Sequence, residues 1–226
     1  MNTRLALIIG ATGTLGKAIT KKLASQNIQL ILASRNIDKL EKLYEQIINI
    51  SILKPIIVTL DLSHGRSIDK LGGKIFEKYK KLDILINCSS FYPKLSPIHH
   101  INPKEFSKLI NINISANWQI IRSFDPLLRL SKYGRAYFFI CKRKTYNEPY
   151  FGSYVLSSNA IEALIKSWKK EIKKTNIIVS TYDPGPVDGA LRNSAFPGEN
   201  KNNVNTAELS AKHFINLLEK SYTSLT

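Results

Sequence analysis

The residues best suited to chemistry near the start of the chain are glycines. Gly10-Ala11-Thr12-Gly13-Thr14-Leu15-Gly16 follows the apolar run Leu5 to Ile9 and precedes a stretch with helical periodicity. A strand, a glycine turn and a helix in that order form a dinucleotide-binding fingerprint. Gly10 and Gly13 let the backbone turn tightly and approach a pyrophosphate. Gly16 lets the helix pack closely on the sheet, and the helix N-terminus aims amide donors at the anion. Thr12, Thr14 and Leu15 lie in the same turn and join the cofactor-binding candidates.

About 20 residues further on, NAD-preferring domains of this kind place an acidic residue for the ribose hydroxyls. Here the chain reads Ala33-Ser34-Arg35-Asn36, with no carboxylate to repel a 2′-phosphate. Arg35 can clamp that phosphate through charge-assisted hydrogen bonds and Ser34 can donate another. NADP(H) is therefore expected in preference to NAD(H).

Such a turn needs a parallel sheet to hold it. Apolar strands at Leu5 to Ile9, Gln29 to Ala33, Pro55 to Leu60, Asp83 to Asn87, Arg135 to Cys141 and Ile177 to Tyr182 alternate with helical patterns at Lys17 to Ser25, Asp38 to Ile50, Ser67 to Tyr79, Pro103 to Leu130, Ser153 to Lys174 and Thr206 to Glu219. The expectation is an α/β chain: a single-domain Rossmann fold over residues 1–226, with a doubly wound parallel sheet and helices on both faces. Long loops, Ser89 to Asn102 and Pro184 to Asn205, follow strand ends, at the edge where open α/β sheets bind ligands.

Composition bounds the function. The 226 residues are 43% hydrophobic, enough for one large core. Only Cys88 and Cys141 occur as cysteines, without metal-ligand spacing, which argues against a disulfide framework and a structural zinc site. His99-His100 has no converging ligand set nearby, so no metal site is expected. No stretch approaches a membrane span, and no cleavable leader pattern precedes the first strand, so a cytoplasmic protein is expected. The formal charge of +16 comes from scattered residues such as Lys21-Lys22, Lys80-Lys81 and Lys169-Lys170. It reads as a solvated lysine-rich surface, with nucleic-acid binding a weaker reading that lacks any recognition motif.

The ordered motifs together resemble the short-chain dehydrogenase/reductase family from Leu5 to about Leu218. The resemblance implies that Asp61 and Leu62, in Leu60-Asp61-Leu62-Ser63, lie against adenine. It matches the family's Asn-Asn-Ala-Gly to Asn87-Cys88-Ser89-Ser90, where only the first residue is retained, and makes Asn87 and Ser89 cofactor-site residues. Asn113 matches a helical asparagine that supports the proton relay. Pro184, Gly185 and Val187 match the segment bordering nicotinamide, where Val187 offers its backbone, while Gly189 stands where a threonine is usual.

The same resemblance implies a catalytic tyrosine at Tyr154, which gives its proton to a developing alkoxide. The family's lysine four residues later is Ser158 here, and its carbonyl-holding serine falls on Cys141 or Lys142. An unperturbed tyrosine titrates near about 10, so a nearby ammonium normally eases its ionisation. Lys142 is a candidate to replace that ammonium, against its pointing to solvent with Arg143 and Lys144. Two readings stay open: an NADP(H)-dependent oxidoreductase of impaired activity acting on a small carbonyl or alcohol, and a non-catalytic protein that keeps the fold. A homo-oligomer is implied through the two long helices, where Trp118, Ile121, Phe124, Ile165 and Trp168 lie either on the seam or in the core.

Overall fold

Strand-length apolar runs with no polar alternation can be stable only where both faces of a sheet are covered. The structure, a computed structural model, describes residues 3–141 and 148–223 and shows that arrangement. The elements run β1 (Arg4–Ile9), α1 (Thr14–Ala24), β2 (Ile28–Ser34), α2 (Ile37–Ile47), β3 (Ile56–Thr59), α3 (Gly65–Tyr79) and β4 (Ile84–Asn87). The second half continues with α4 (Pro103–Leu109), α5 (Ala116–Arg129), β5 (Arg135–Phe139), α6 (Gly152–Glu171), β6 (Ile178–Tyr182), α7 (Ala190–Ala195) and α8 (Ala207–Thr223). The six strands pair in parallel in the order β3-β2-β1-β4-β5-β6. The order reverses between β1 and β4, which opens a crevice beyond their C-terminal ends.

Strand alternation divides the core in two. Leu5, Leu7 and Ile9 of β1 face a layer that includes Ile68 and Leu71 of α3, Ile120 and Phe124 of α5, and Ile165 and Trp168 of α6. Ala6 and Ile8 face the opposite layer, with Ile19 and Leu23 of α1, Leu40 and Leu43 of α2, and Phe214 and Leu218 of α8. The two layers answer the question left open for the apolar residues of the long helices. Phe124, Ile165 and Trp168 are core, Ile121 packs partly against that core, and Trp118 is 51% exposed.

Three boundaries differ from the sequence expectation in ways that bear on the site. Helix α1 begins at Thr14 rather than Lys17, because Gly13 takes the extended cap conformation and the next three residues already form the first turn. The single helix expected over Pro103 to Leu130 is α4 and α5 joined by a π-helical segment at Ile110–Ser115. One extra residue in a turn leaves the apolar spacing nearly intact, so periodicity cannot reveal it. Strand β5 ends at Phe139, two residues before Cys141, which frees Ile140 and Cys141 to border the crevice. Asn36 and Asn102 cap α2 and α4 through their side-chain oxygens, accepting from Lys39 and Lys104 amides at 2.8 and 2.9 Å.

Phe124 is fully buried between α5 and the sheet. Phe124→Ala is expected to lower unfolding stability by about 3–5 kcal/mol, read from urea denaturation, because the core cannot fill the space left behind.

Candidate active site

The crevice is built first by backbones in contact. Gly10 has φ +80, and a Cβ there would lie 2.8 Å from the Ser89 amide nitrogen. A Cβ on Gly16 would fall 2.1 Å from the Gly10 carbonyl oxygen. The β1 turn, the loop after β4 and the first turn of α1 therefore meet at distances that only glycine permits. They form one wall of a cleft of about 420 Å³ that also takes in Thr12, Gly13, Thr14 and Leu15. The N-terminus of α1 opens into it, so the cradle fits a pyrophosphate.

The residues expected at the 2′-phosphate end stand at the rim. Thr12 and Ser34 share a hydroxyl hydrogen bond of 2.6 Å. Exposed Arg35 borders both this cleft and a neighbouring hollow of about 510 Å³ that Asp61 also lines. Burial raises the Asp61 carboxyl, but hydrogen bonds from the Ser63 amide and hydroxyl, with His64 beside it, outweigh that and hold it below its ordinary range. Leu62, 6% exposed, lies on the cleft wall.

At the opposite end, Gly185 has φ +69 and its amide donates to Asp183 Oδ1 at 2.9 Å, closing the turn that carries Pro184. Asn205 brackets Val187, donating to the Pro186 carbonyl and accepting from the Asp188 amide, both at 2.9 Å. In that parallel pairing the amide and carbonyl of Val187 itself point away from Asn205. Val187 lines the cleft. At Gly189, where the resemblance led to a threonine, a Cβ would sit 2.6 Å from Thr14 Oγ1, so a threonine there would have to move the Thr14 side chain. The Thr14 side chain fills that place.

A chain of buried amides fixes the loop after β4. Asn87 donates to Asn117 Oδ1 at 2.7 Å and accepts from the Ser89 amide at 3.0 Å. Asn117 donates to the Asn113 carbonyl at 2.6 Å. Asn113, carried by the π-helical segment, accepts from the Phe91 amide at 2.8 Å and donates to the Phe91 carbonyl at 2.7 Å. Its side chain and carbonyl thus anchor the segment that leads to Tyr92.

Tyr154 stands in the first turn of α6, 7% exposed and lining the cleft. The Tyr92 ring stacks on it, centroids 4.1 Å apart and planes 9° from parallel. Ser158, fully buried, is turned to the strand end: its hydroxyl donates to the Cys141 carbonyl at 2.9 Å and accepts from the Cys141 amide at 3.2 Å. Burial pushes the Tyr154 phenol up to about 12, the Cys141 side chain adds to the rise, and the Arg192 guanidinium opposes it. Arg192 is paired through two hydrogen bonds with Glu199 and lies 4.1 Å from the Phe196 ring centre. Lys142 falls within 142–147, outside the described residues.

Most of the residues that sequence reading singled out for the cofactor line this one cleft, but it did not single out Tyr92, Asn117 or Arg192. Asn117 had a usable signal, an amide four residues after Asn113 on one helical face. Tyr92 sits in the long loop after β4 and Arg192 in the short helix α7 within the loop after β6, where spacing carries no such information. His99 and His100 lie side by side at 4.1 Å on the surface. Among the described residues no group of three His, Cys, Asp or Glu could hold a metal, and no helix is long and apolar enough to cross a membrane.

Comparison with known proteins agrees with this geometry. A family model described as short chain dehydrogenase matches residues 4–200. The uncharacterised oxidoreductase YciK of Escherichia coli K12 is 24% identical over 208 residues, covering 91% of this chain and 82% of that protein. The NADPH-dependent pterin aldehyde reductase of Arabidopsis thaliana is 25% identical over 193 residues, covering 85% of this chain and 78% of that protein. A short chain dehydrogenase structure from Shigella flexneri, complexed with NADP, superposes with a TM-score of 0.87 at 24% identity, covering 93% and 90% of the two chains. The chain belongs to the short-chain dehydrogenase family and is an oxidoreductase of that type.

Burial raises Tyr92, Tyr154 and Tyr222 from an ordinary 10 to about 12. Below pH 10 both folded and unfolded chains keep these protons, so the stabilisation is complete there. Between pH 10 and 12 the unfolded chain ionises first. Thermal unfolding is expected to fall steeply across that window, by at most about 1.4 kcal/mol per pH unit for each of the three phenols. A melting temperature level through pH 12 would contradict it.

Proposed function

We propose that this short-chain dehydrogenase family member is an NADP(H)-dependent reductase of small carbonyl compounds. One observation carries the reading: the glycine cradle and Tyr154 line the same cleft, with Arg35 and Ser34 at its far rim. Two similar proteins support the cofactor choice. The Arabidopsis relative is named for NADPH, and the Shigella structure holds NADP.

In this reading the amides of the Gly10 to Gly16 turn hold the pyrophosphate, Arg35 and Ser34 hold the 2′-phosphate, and the Val187 backbone holds the carboxamide. NADPH, when bound, supplies the hydride. Tyr154 gives its hydroxyl proton to the carbonyl oxygen as that oxygen gains charge, and recovers a proton from solvent through the cleft. Like any phenol it is protonated at neutral pH, and it remains a stronger acid than the alcohol formed. If the serine position falls on Cys141, it contributes only a weak donor; if on Lys142, a strong one.

A second reading, a cofactor-binding protein without turnover, draws on Ser158, whose hydroxyl is committed to the Cys141 backbone and brings no charge. The homo-oligomer suggested by the resemblance has one exposed aromatic candidate on α5, Trp118.

Titration of nicotinamide fluorescence is expected to show NADPH binding more tightly than NADH. Arg35→Ala is expected to weaken NADPH about 10- to 100-fold with little effect on NADH, the loss of one charge-assisted contact of a few kcal/mol. Equal weakening of both cofactors would remove Arg35 from the 2′-phosphate role. Tyr154→Phe is expected to lower reductase turnover about 10²- to 10⁴-fold while NADPH binding survives. Retained turnover in that variant would exclude Tyr154 as the proton donor.

A further inference from the structure

On helix α6 position 158 lies one turn beyond Tyr154, on the same face. A long side chain there would have to run beside the Tyr154 ring. In this protein that space is taken from another direction. Asn113 grips the Phe91 backbone on both its amide and carbonyl sides, and Pro93 follows, so the Phe91-Tyr92-Pro93 segment is held with little freedom. From that anchored segment the Tyr92 ring is laid flat on Tyr154. Its phenol is oriented toward Ser157 and Ser158, which partly offset the rise that burial imposes on it. Ser157 and Ser158 are themselves fully buried. Both are tied to backbone, Ser157 to the Ser153 and Tyr154 carbonyls and Ser158 to Cys141.

We infer that Tyr92 is a positioning residue for Tyr154: its phenol fills the space over Ser158 and fixes the Tyr154 ring by stacking. Positions 92 and 158 are therefore coupled, and only one of them can carry a long side chain. The small residue at 158 is then half of a paired arrangement in which a neutral phenol does the orienting. The inference rests on the reading of Tyr154 as proton donor. Among the described residues, other groups facing Tyr154 are Cys141 from the end of β5, Arg192 from α7, and the Phe151 ring at 5.6 Å.

The test is a cycle of full-length variants: Tyr92→Phe, Tyr92→Ala, Tyr92→Leu, Ser158→Lys and the Tyr92→Ala/Ser158→Lys pair. Three readouts are taken: melting temperature, NADPH binding by fluorescence, and NMR of protein labelled with ¹³C at tyrosine Cζ. Ser158→Lys alone is expected to lower the melting temperature by more than about 5 °C, since an ammonium is forced against the Tyr92 ring. The double variant should regain most of that loss. In it the Tyr154 signal should titrate at least about one pH unit lower than in the parent, as an ammonium one turn away favours phenolate. Tyr92→Ala and Tyr92→Leu should shift and broaden the Tyr154 signal. With NADPH and benzaldehyde they should lower kcat about tenfold at unchanged KM for NADPH, whereas Tyr92→Phe, which keeps the stack, should recover most of kcat.

Additive melting shifts in the cycle, or a Tyr154 signal indifferent to Tyr92→Ala and Tyr92→Leu, would overturn the inference. A parent protein that binds NADPH yet reduces neither benzaldehyde nor any other carbonyl would overturn the reductase reading instead, while the melting cycle and the Tyr154 signal still decide the coupling.

Discussion

Three asparagine side chains buried between β4 and the π-helical segment must find their hydrogen-bond partners inside the protein: Asn87 on the Asn117 side chain, Asn117 on the Asn113 backbone carbonyl. Asn87, Asn117 and Asn113 do so in series, and the last of them passes its amide to the Phe91 backbone. A buried amide left without partners costs about 1–3 kcal/mol, so each link enforces the next. The π-helical segment belongs to the same constraint, since it is the stretch that carries Asn113 to the loop. From this series follow the course of the chain after β4, the placement of Tyr92 and the shape of the cleft in front of Tyr154. The crevice at the strand-order reversal exists in any open sheet of this topology. The amide series gives it a fixed wall.

Two departures from the family pattern, Ser158 and Gly189, each have a spatial partner. Ser158 leaves space that Tyr92 enters, and Gly189 leaves space that the Thr14 side chain enters. In each pair one position loses bulk and another, distant in sequence but adjacent in space, supplies it. Close packing explains why such changes are linked, since an unfilled void forfeits the contacts of its lining. The consequence at position 158 is electrostatic as well as steric, because a neutral phenol orients the neighbouring ring without lowering its pKa. The described site is accordingly rich in raised phenols. Among the described residues, the nearby Arg192 is ion-paired with Glu199.

The glycine-turn end of the cleft is different, because there backbones rather than side chains make the wall. Gly10 and Gly16 meet Ser89 and the Gly10 carbonyl at distances no larger residue allows. Thr12 and Ser34 are already linked beside Arg35. One half of the cleft is thus shaped by backbone contact, and the other by side chains.

Sequence alone determined the layered architecture, because apolar strands of this length alternating with amphipathic helices have one stable solution, a parallel sheet covered on both faces. It also placed the cradle, since glycine at positions 10, 13 and 16 between a strand and a helix is a local pattern read from neighbours in the chain. It showed that Ser158 and Gly189 departed from the family, yet read each as a loss. Only the tertiary structure brought Tyr92 onto Tyr154 and Thr14 against Gly189, and turned Asn113 toward Phe91. Those contacts join residues separated by tens of positions, and no periodicity along the chain encodes which side chain will fill a space that another has left.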